Sequence, residues 1–169
     1  MPSAFHVAGP GRWGAAGAYG EHGPSPSPPE RNPVPHTPDP EPTTPPADWH
    51  PSIRVTAMPA DANPYGDIFG GWLMSQMDLA AGSLASLRAK GRAATVAVDS
   101  MSFVRPVTVG AEVTVYTHLE HEGRTSMKVA VQAWARDRHS EAEELITCGL
   151  FTFVATDDNG RPRPLPQVG

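Results

Sequence analysis

The hydrophobic and polar positions after residue 50 predict one long helix among several strands. From Phe69–Trp72 to about Ala89 the apolar residues leave almost no polar face, a pattern typical of a helix that is buried on all sides. Turn-forming residues predict a loop before this helix: Pro59, Asn63, Pro64 and Gly66. Gly91 follows the helix, where glycine commonly marks the end of one.

Strand-like runs surround the helix in the chain. A short β-prone run at 53–57 comes first. Four longer runs follow the helix, at 95–103, 112–120, 125–136 and 145–155. The middle two alternate apolar and polar positions on either side of a turn at 121–123, as the strands of a hairpin do.

This order predicts an α+β fold. An antiparallel sheet of five to six strands would wrap around one long central helix, because that arrangement covers the helix and the inner face of the sheet together. Apolar residues also occur on the opposite face, with Trp134 opposite Val131. We therefore expect the outer face of the sheet to meet a partner.

The first fifty residues differ in composition from the rest of the chain. Of the 20 prolines, seven lie at Pro51 or later, so 13 lie in this segment, together with many Gly, Ser and Thr residues. Its apolar side chains are too few to offset the chain entropy lost on folding. We predict a disordered Pro-rich tail at 1–50, one domain at 51–160 and a Pro-rich C-terminal tail at 161–169. A proline-rich recognition segment is the alternative for the first tail.

Charge and cysteine content restrict the class of protein. The chain has 18 acidic and 13 basic residues without a basic patch, which argues against a nucleic-acid binder. No apolar run is long enough to span a membrane, and the N-terminus lacks the pattern of a secretory signal. The single cysteine, Cys148, fits a reducing cytoplasm and a core position among apolar neighbours. We expect a cytoplasmic protein without nucleic-acid or membrane partners.

The segment Asn63–Asp78 carries the candidate chemistry. Asp67 stands three residues before the pair Gly70 and Gly71, which opens the helix. The first turn of a helix has unpaired N–H groups and a partial positive charge. This segment can therefore supply both a base and a site for a developing oxyanion. Aspartate is also a favoured helix cap, and the local pattern alone does not separate the two interpretations.

Other catalytic machinery does not match the sequence. There is no G-x-S-x-G elbow, and no pair of His or Cys has the spacing of metal ligands. Three histidines, His118, His121 and His139, fall on predicted strands or turns away from the glycine pair. Carboxylate chemistry is what remains.

Four segments of the chain resemble the hotdog-fold acyl-CoA thioesterases of the YciA type. They read MPADANPYGDIFGGWLMSQMD (58–78), SFVRPVTVGAEV (102–113), GRTSMKV (123–129) and FTFVATDDNGRPRPLP (151–166). The resemblance implies a hotdog domain that hydrolyses fatty acyl-CoA to free fatty acid and CoA. CoA would enter as part of the substrate, with no metal or other cofactor. The resemblance also implies a homodimer or a hexamer built as a trimer of dimers, with active sites at the dimer interface.

The resemblance assigns roles to single residues. Asp67 matches the catalytic carboxylate, as a general base or as a nucleophile. The amide of Gly70 or Gly71 would hold the oxyanion, and Asn63 would shape the loop or position a water molecule. Two groups are candidates for binding CoA: Phe103, Val104, Arg105 and Pro106 by family position, and Thr125 and Ser126 on a strand that approaches the partner's site in this fold.

Several alternatives stay open. Asp78 lies in the middle of the helix and is either a hydrogen-bonded structural residue or a second catalytic carboxylate. Thr125 and Ser126 could be ordinary strand surface. The CoA phosphates could meet Arg105 or other basic residues: Arg88, Lys90, Arg92, Arg161 and Arg163. The alternative functions are a hotdog dehydratase or hydratase, which would need a histidine near the glycine pair, and a non-catalytic acyl-CoA-binding module.

Overall fold

The structure, a computed structural model, describes residues 42–167. The elements follow in the order β1 (His50–Thr56), a 3-10 turn (Pro59–Asp61), α1 (Gly70–Ala89), β2 (Ala93–Phe103), β3 (Glu112–Glu122), β4 (Ser126–Arg136) and β5 (Glu144–Ala155). The strands form one antiparallel five-stranded sheet in the order β1-β3-β4-β5-β2. The predicted α+β fold, with one long helix packed on an antiparallel sheet, is confirmed.

Strand alternation places one row of side chains of each central strand against the helix. Val113 and Val115 of β3 stand opposite Ala135 and Ala133 of β4, and all four are buried. The helix contributes a side made largely of small residues: Leu73, Met77, Ala80, Ala81, Ala85 and Ala89. Because alanine adds little bulk, this side of α1 can lie close to the sheet, and the two surfaces form a single core.

The prediction that α1 is buried on all sides is wrong for the single chain. Leu79 is 61% exposed and Leu87 is 74% exposed, although both are apolar. One sheet covers only one side of a helix. The opposite side of α1 therefore remains an apolar surface in the described part of the chain.

Trp134 does not offer the open surface that the sequence pattern predicts. It is fully buried, and its Nε1 donates a hydrogen bond to Gln132 Oε1 at 2.9 Å. Pro42, Thr43 and Glu143 border the small hollow that remains beside it. The interpretation of Trp134 as a partner contact is wrong because residues of the same chain bury it.

β2 forms one edge of the sheet and pairs only with β5 among the described strands. Nearly all of its side chains are exposed, including Val96 and Val98. Two irregularities interrupt its register with β5. Its last residue, Phe103, comes close to the start of α1, so the end of this edge strand helps to form the candidate site.

The predicted tails lie only partly within the described residues. Residues 1–41 and 168–169 fall outside them. The Trp49 ring, just before β1, stacks on His118 of β3 with a centroid separation of 5.5 Å. After β5 the Arg163 side chain donates to the Ala89 carbonyl at 2.8 Å. Ordered contacts thus extend beyond residues 51 and 160, and the proposed domain boundaries stay predictions.

Candidate active site

The loop before α1 folds around the side chain of Asn63. Its Oδ1 accepts hydrogen bonds from the Tyr65 amide at 2.9 Å and from the Asp67 amide at 3.2 Å. The Asn63 amide in turn donates to the Asp67 carbonyl at 2.6 Å. Gly66 turns the chain with a φ of 95°, in the left-handed region that glycine adopts without strain. The asparagine and the glycine together fix the main chain that carries Asp67.

Asp67 is also fixed from the side of the segment after β2. It forms an isolated antiparallel bridge with Thr108, and the next amide, of Ile68, donates to the Val107 carbonyl at 2.9 Å. The side chain is half-buried, and within residues 42–167 its carboxylate makes no hydrogen bond or ion pair. The N-cap of α1 is Phe69, with no side-chain capping bond. The interpretation of Asp67 as a helix cap is therefore wrong.

The start of α1 presents main-chain donors. The Leu73 amide donates to the Phe69 carbonyl at 3.3 Å, and the amides of Gly70 and Gly71 have no acceptor in the described part of the chain. Such orphan N–H groups at the positive end of a helix suit an anionic oxygen. A Cβ placed on Gly70 would lie 3.3 Å from the Phe103 ring. Glycine at this position therefore lets the ring rest against the helix start.

A cavity of about 330 Å³ joins most of the predicted site residues. Its lining is Asn63, Asp67, Ile68, Gly70, Leu73, Phe103, Val104, Arg105, Pro106 and Val107. The predicted base, one predicted oxyanion donor and all four predicted CoA-binding residues of the segment 103–106 thus share one space. Sequence reasoning missed the apolar walls Ile68, Leu73 and Val107. Their apolar character was visible in the sequence, but it carried no sign that these core residues also line a cavity.

Three predicted site residues do not line this cavity. Gly71 faces a separate, mostly apolar hollow of about 340 Å³ beside Met74. Thr125 and Ser126 lie at the other end of the sheet. Ser126 pairs with Val154 of β5, whereas Phe103 pairs with Thr147, and seven residues of strand span about 23 Å. Their approach to a partner's site stays a prediction.

Arg105 lies between the cavity and β5. Its Nη1 donates to the Leu145 carbonyl at 3.0 Å, and its Nε lies 3.9 Å from Glu144 Oε2. These contacts place a cation at the edge of the cavity that contains Asp67. The two anchoring residues could not be found from sequence, because they lie about 40 residues further along the chain, on another strand.

Two of the other candidate phosphate ligands have structural partners at the far end of the helix. Arg88 pairs with Glu122 and donates to the Pro166 carbonyl at 3.1 Å, and Arg163 binds the Ala89 carbonyl. The 20-residue α1 puts this end about 30 Å from Gly70. A hollow of about 420 Å³ lies there, but none of the described residues that line it carries a carboxylate. The smaller Asp67 cavity is the better candidate because of its chemistry.

Asp78 has the hydrogen bond that its structural interpretation predicts. The Thr95 hydroxyl donates to Asp78 Oδ1 at 2.7 Å. Among residues 42–167, no histidine lines the Asp67 cavity. Cys148 is a half-buried free thiol opposite Gln132, so its predicted core position is wrong: the strand register turns it to the outer face of the sheet.

Within 42–167, no three side chains of His, Cys, Asp or Glu come together in a way that could hold a metal ion. In the same part of the chain, no helix combines the length and the apolarity that a membrane span needs.

Comparison with known proteins gives consistent matches. A family model described as the thioesterase superfamily matches residues 65–142. The acyl-CoA thioester hydrolase YciA of Salmonella typhimurium is 47% identical over 120 residues, which cover 69% of this chain and 90% of that protein. YciA of Escherichia coli is 46% identical over 117 residues, which cover 68% and 89%.

Solved structures match at the level of the fold and the sequence. An Asp-to-Ala mutant of HI0827, a hexameric broad specificity acyl-coenzyme A thioesterase, has a TM-score of 0.68 at 45% identity, covering 70% of this chain and 87% of that one. The hexameric thioesterase y2039 of Yersinia pestis has a TM-score of 0.68 at 43% identity, covering 72% and 98%.

Proposed function

This chain belongs to the thioesterase superfamily, as a hotdog-fold relative of the YciA acyl-CoA thioester hydrolases, and we propose that it hydrolyses fatty acyl-CoA to a free fatty acid and CoA. One observation carries the proposal. The Asp67 carboxylate has no hydrogen-bond or ion-pair partner within residues 42–167 and lines the same cavity as the glycine that opens α1. A half-buried carboxylate without a partner is available to a substrate or to water.

Asp67 acts as the general base in this proposal. A water molecule between the carboxylate and the thioester carbonyl gives a proton to Asp67 while its oxygen attacks the carbonyl carbon. The carbon–sulfur bond then breaks, the CoA thiolate takes the proton from Asp67, and the acyl group leaves as a fatty acid. In the alternative route Asp67 itself attacks, and water opens the resulting anhydride. Turnover in heavy-oxygen water would label Asp67 only along the second route.

The helix start supplies the oxyanion site. The amides of Gly70 and Gly71 have no acceptor within the described residues, so they can donate to the carbonyl oxygen as it becomes negative. Donors already fixed in place stabilise the transition state without reorganising, and losing one typically costs about 3 kcal/mol. Asn63 acts through the main chain by holding the Asp67 loop, as its three hydrogen bonds to residues 65 and 67 indicate.

The segment Phe103–Pro106 binds the CoA part of the substrate. It lines the cavity opposite Asp67, and the Arg105 guanidinium can meet a phosphate at the edge of that cavity. Arginine suits phosphate because its planar fork of donors matches the phosphate oxygens. The reaction requires no cofactor in this proposal, since carboxylate, water and main-chain amides provide every group that it uses.

The enzyme acts as an even-numbered oligomer in the cytoplasm. Several related structures are hexameric, and the exposed apolar residues Leu79 and Leu87 on α1 give this chain a surface that favours burial. Light scattering should give a dimer or a hexamer. A monomer that stays active at micromolar concentration would contradict this part of the proposal.

The direct test is release of free thiol from acetyl-, hexanoyl- and palmitoyl-CoA. Hydrolysis of at least one of them, absent in Asp67→Asn, is the expected result. Tight binding of acyl-CoA without thiol release would point to the non-catalytic binding module. Conversion of a 3-hydroxyacyl-CoA without thiol release would point to a dehydratase or hydratase.

A further inference from the structure

The residues just before β1 occupy the outer face of the sheet. We name residues 42–49 the strap. At its C-terminal end the Trp49 ring stacks on His118 of β3, with an interplanar angle of 16°. At its N-terminal end Pro42 and Thr43 border a hollow of about 220 Å³ beside Trp134 of β4. The strap therefore contacts the sheet at its C-terminal end and borders the hollow beside Trp134 at its N-terminal end.

Trp134 lies beside the hollow that the strap borders. Its side chain lies on the outer face of β4, opposite Thr114 of β3 and Leu145 of β5, and it is fully buried. The helix covers only the inner face. Burial of this indole therefore depends on what lies over the outer face, where the strap and the residues just before β5 border the remaining hollow.

Arg105 connects this region with the candidate active site. It lines the Asp67 cavity and also the hollow beside Trp134. Its two anchors on β5, the Leu145 carbonyl and the Glu144 carboxylate, border the same hollow. The strap and the substrate cavity thus lie on the two sides of one arginine.

We propose that the strap is part of the substrate-binding apparatus: by covering Trp134 and the buried Leu145, whose carbonyl holds Arg105, it keeps the guanidinium in position for a phosphate of acyl-CoA. This proposal rests on the proposed function. The physical reason is exclusion of water from Leu145, because a hydrogen bond to its carbonyl weakens when water competes for that oxygen. An arginine released from its anchors also regains rotamer freedom that substrate binding must remove.

The proposal separates binding from chemistry. Asp67 and the start of α1 are held by the Asn63 loop and by residues 107–108, not by the strap. Loss of the strap should therefore raise KM for acyl-CoA and leave kcat nearly unchanged. The strap should matter only for substrates that carry the phosphates that Arg105 recognises.

The test compares the full chain with two deletions and two substrates. Deletion of residues 1–38 keeps the whole strap and is the matched control for deletion of residues 1–48. With acyl-CoA, the longer deletion should raise KM about tenfold over the value for the shorter deletion, the usual worth of one charge-assisted hydrogen bond. With the same acyl group on pantetheine, which lacks the nucleotide phosphates, the longer deletion should change nothing. When the longer deletion is combined with Arg105→Ala, KM for acyl-CoA should rise no further than in Arg105→Ala alone, because the two changes remove the same interaction.

Trp49→Ala in the full chain provides a second route if the longer deletion does not fold. It removes the stacking on His118 and should raise KM for acyl-CoA in the same direction, with acyl-pantetheine unaffected. An equal effect on both substrates, or additive effects with Arg105→Ala, would overturn the proposal, as would an unchanged KM in both strap variants. Failure of the proposed function looks different, because the full chain itself would then release no thiol.

Discussion

Replacing Asp67 by Asn should remove catalysis and leave stability almost unchanged. The side chain keeps its size, and within residues 42–167 the carboxylate has no hydrogen bond to lose. The bonds that hold the loop run from Asn63 to the main chain of residue 67, so they survive the substitution. The free energy of unfolding should therefore change by no more than about 0.5 kcal/mol. An amide cannot accept the proton of the attacking water, and kcat should fall by about 10² to 10⁴.

Asp78→Asn is the matched control, since it makes the same chemical change eleven residues further along. This carboxylate accepts a hydrogen bond from Thr95, and replacing it by a neutral amide should cost about 1 kcal/mol of stability. Its kcat should stay near normal. The two variants should thus show opposite patterns, one losing rate and the other losing stability.

The assay pairs two measurements on each variant: kcat from thiol release, and affinity for a non-hydrolysable acyl-CoA analogue by calorimetry. Asp67→Asn should bind the analogue about as well as the unaltered chain, because Arg105 and the segment 103–106 are untouched. A near-normal kcat in Asp67→Asn would refute the assignment of the base. If Asp78→Asn lost the rate instead, catalysis would belong to the helix carboxylate.

Three smaller predictions concern the surroundings of the site. Gly70→Ala should raise KM more than it lowers kcat, because the new Cβ would push the Phe103 ring by a few tenths of an ångström. An unchanged KM in steady-state kinetics would contradict this prediction. Thr147→Val should leave the free energy of unfolding unchanged or raise it by about 1 kcal/mol, since the buried Thr147 hydroxyl has no partner among the described residues. A lower free energy of unfolding, measured with denaturant, would mean that the hydroxyl binds a water molecule. The pKa of Asp99 is lowered, mainly by the hydrogen bond from Thr152. The stability that Asp99 contributes is therefore fully present above its pKa in the unfolded chain, and it is lost as the pH falls through its pKa in the folded protein. Melting temperature measured against pH should therefore decline less steeply in acid for Asp99→Asn than for the unaltered chain.

Local patterns were enough to predict the elements, whereas the site residues were predicted with the help of the resemblance. The helix ends at Ala89 as predicted, with Lys90 in the left-handed conformation that closes many helices. The strands begin and end within a few residues of their predicted bounds. A carboxylate three residues before a glycine pair made Asp67 a candidate, and the resemblance to the YciA-type thioesterases decided between a base and a helix cap.

The features that the sequence did not reveal depend on residues far apart in the chain. The hollow beside the buried Trp134 is bordered by Pro42 and Thr43, about ninety positions earlier in the chain. The anchors of Arg105 come from β5, across a sheet whose order is not the order of the chain. The exposure of Leu79 follows from the number of layers in the fold, because an apolar helix is buried on all sides only if a second layer covers it.

The β2 edge has a consequence for how the enzyme is made in a cell. Its eleven residues carry one charge, at Asp99, and no proline. Charged residues and prolines, which usually stop one sheet edge from pairing with another, are therefore scarce on β2. A newly synthesised chain exposes this strand until assembly or a chaperone covers it, so slow assembly would favour aggregation. Yield should depend on expression rate and temperature, and the melting temperature should rise with protein concentration if assembly covers this edge.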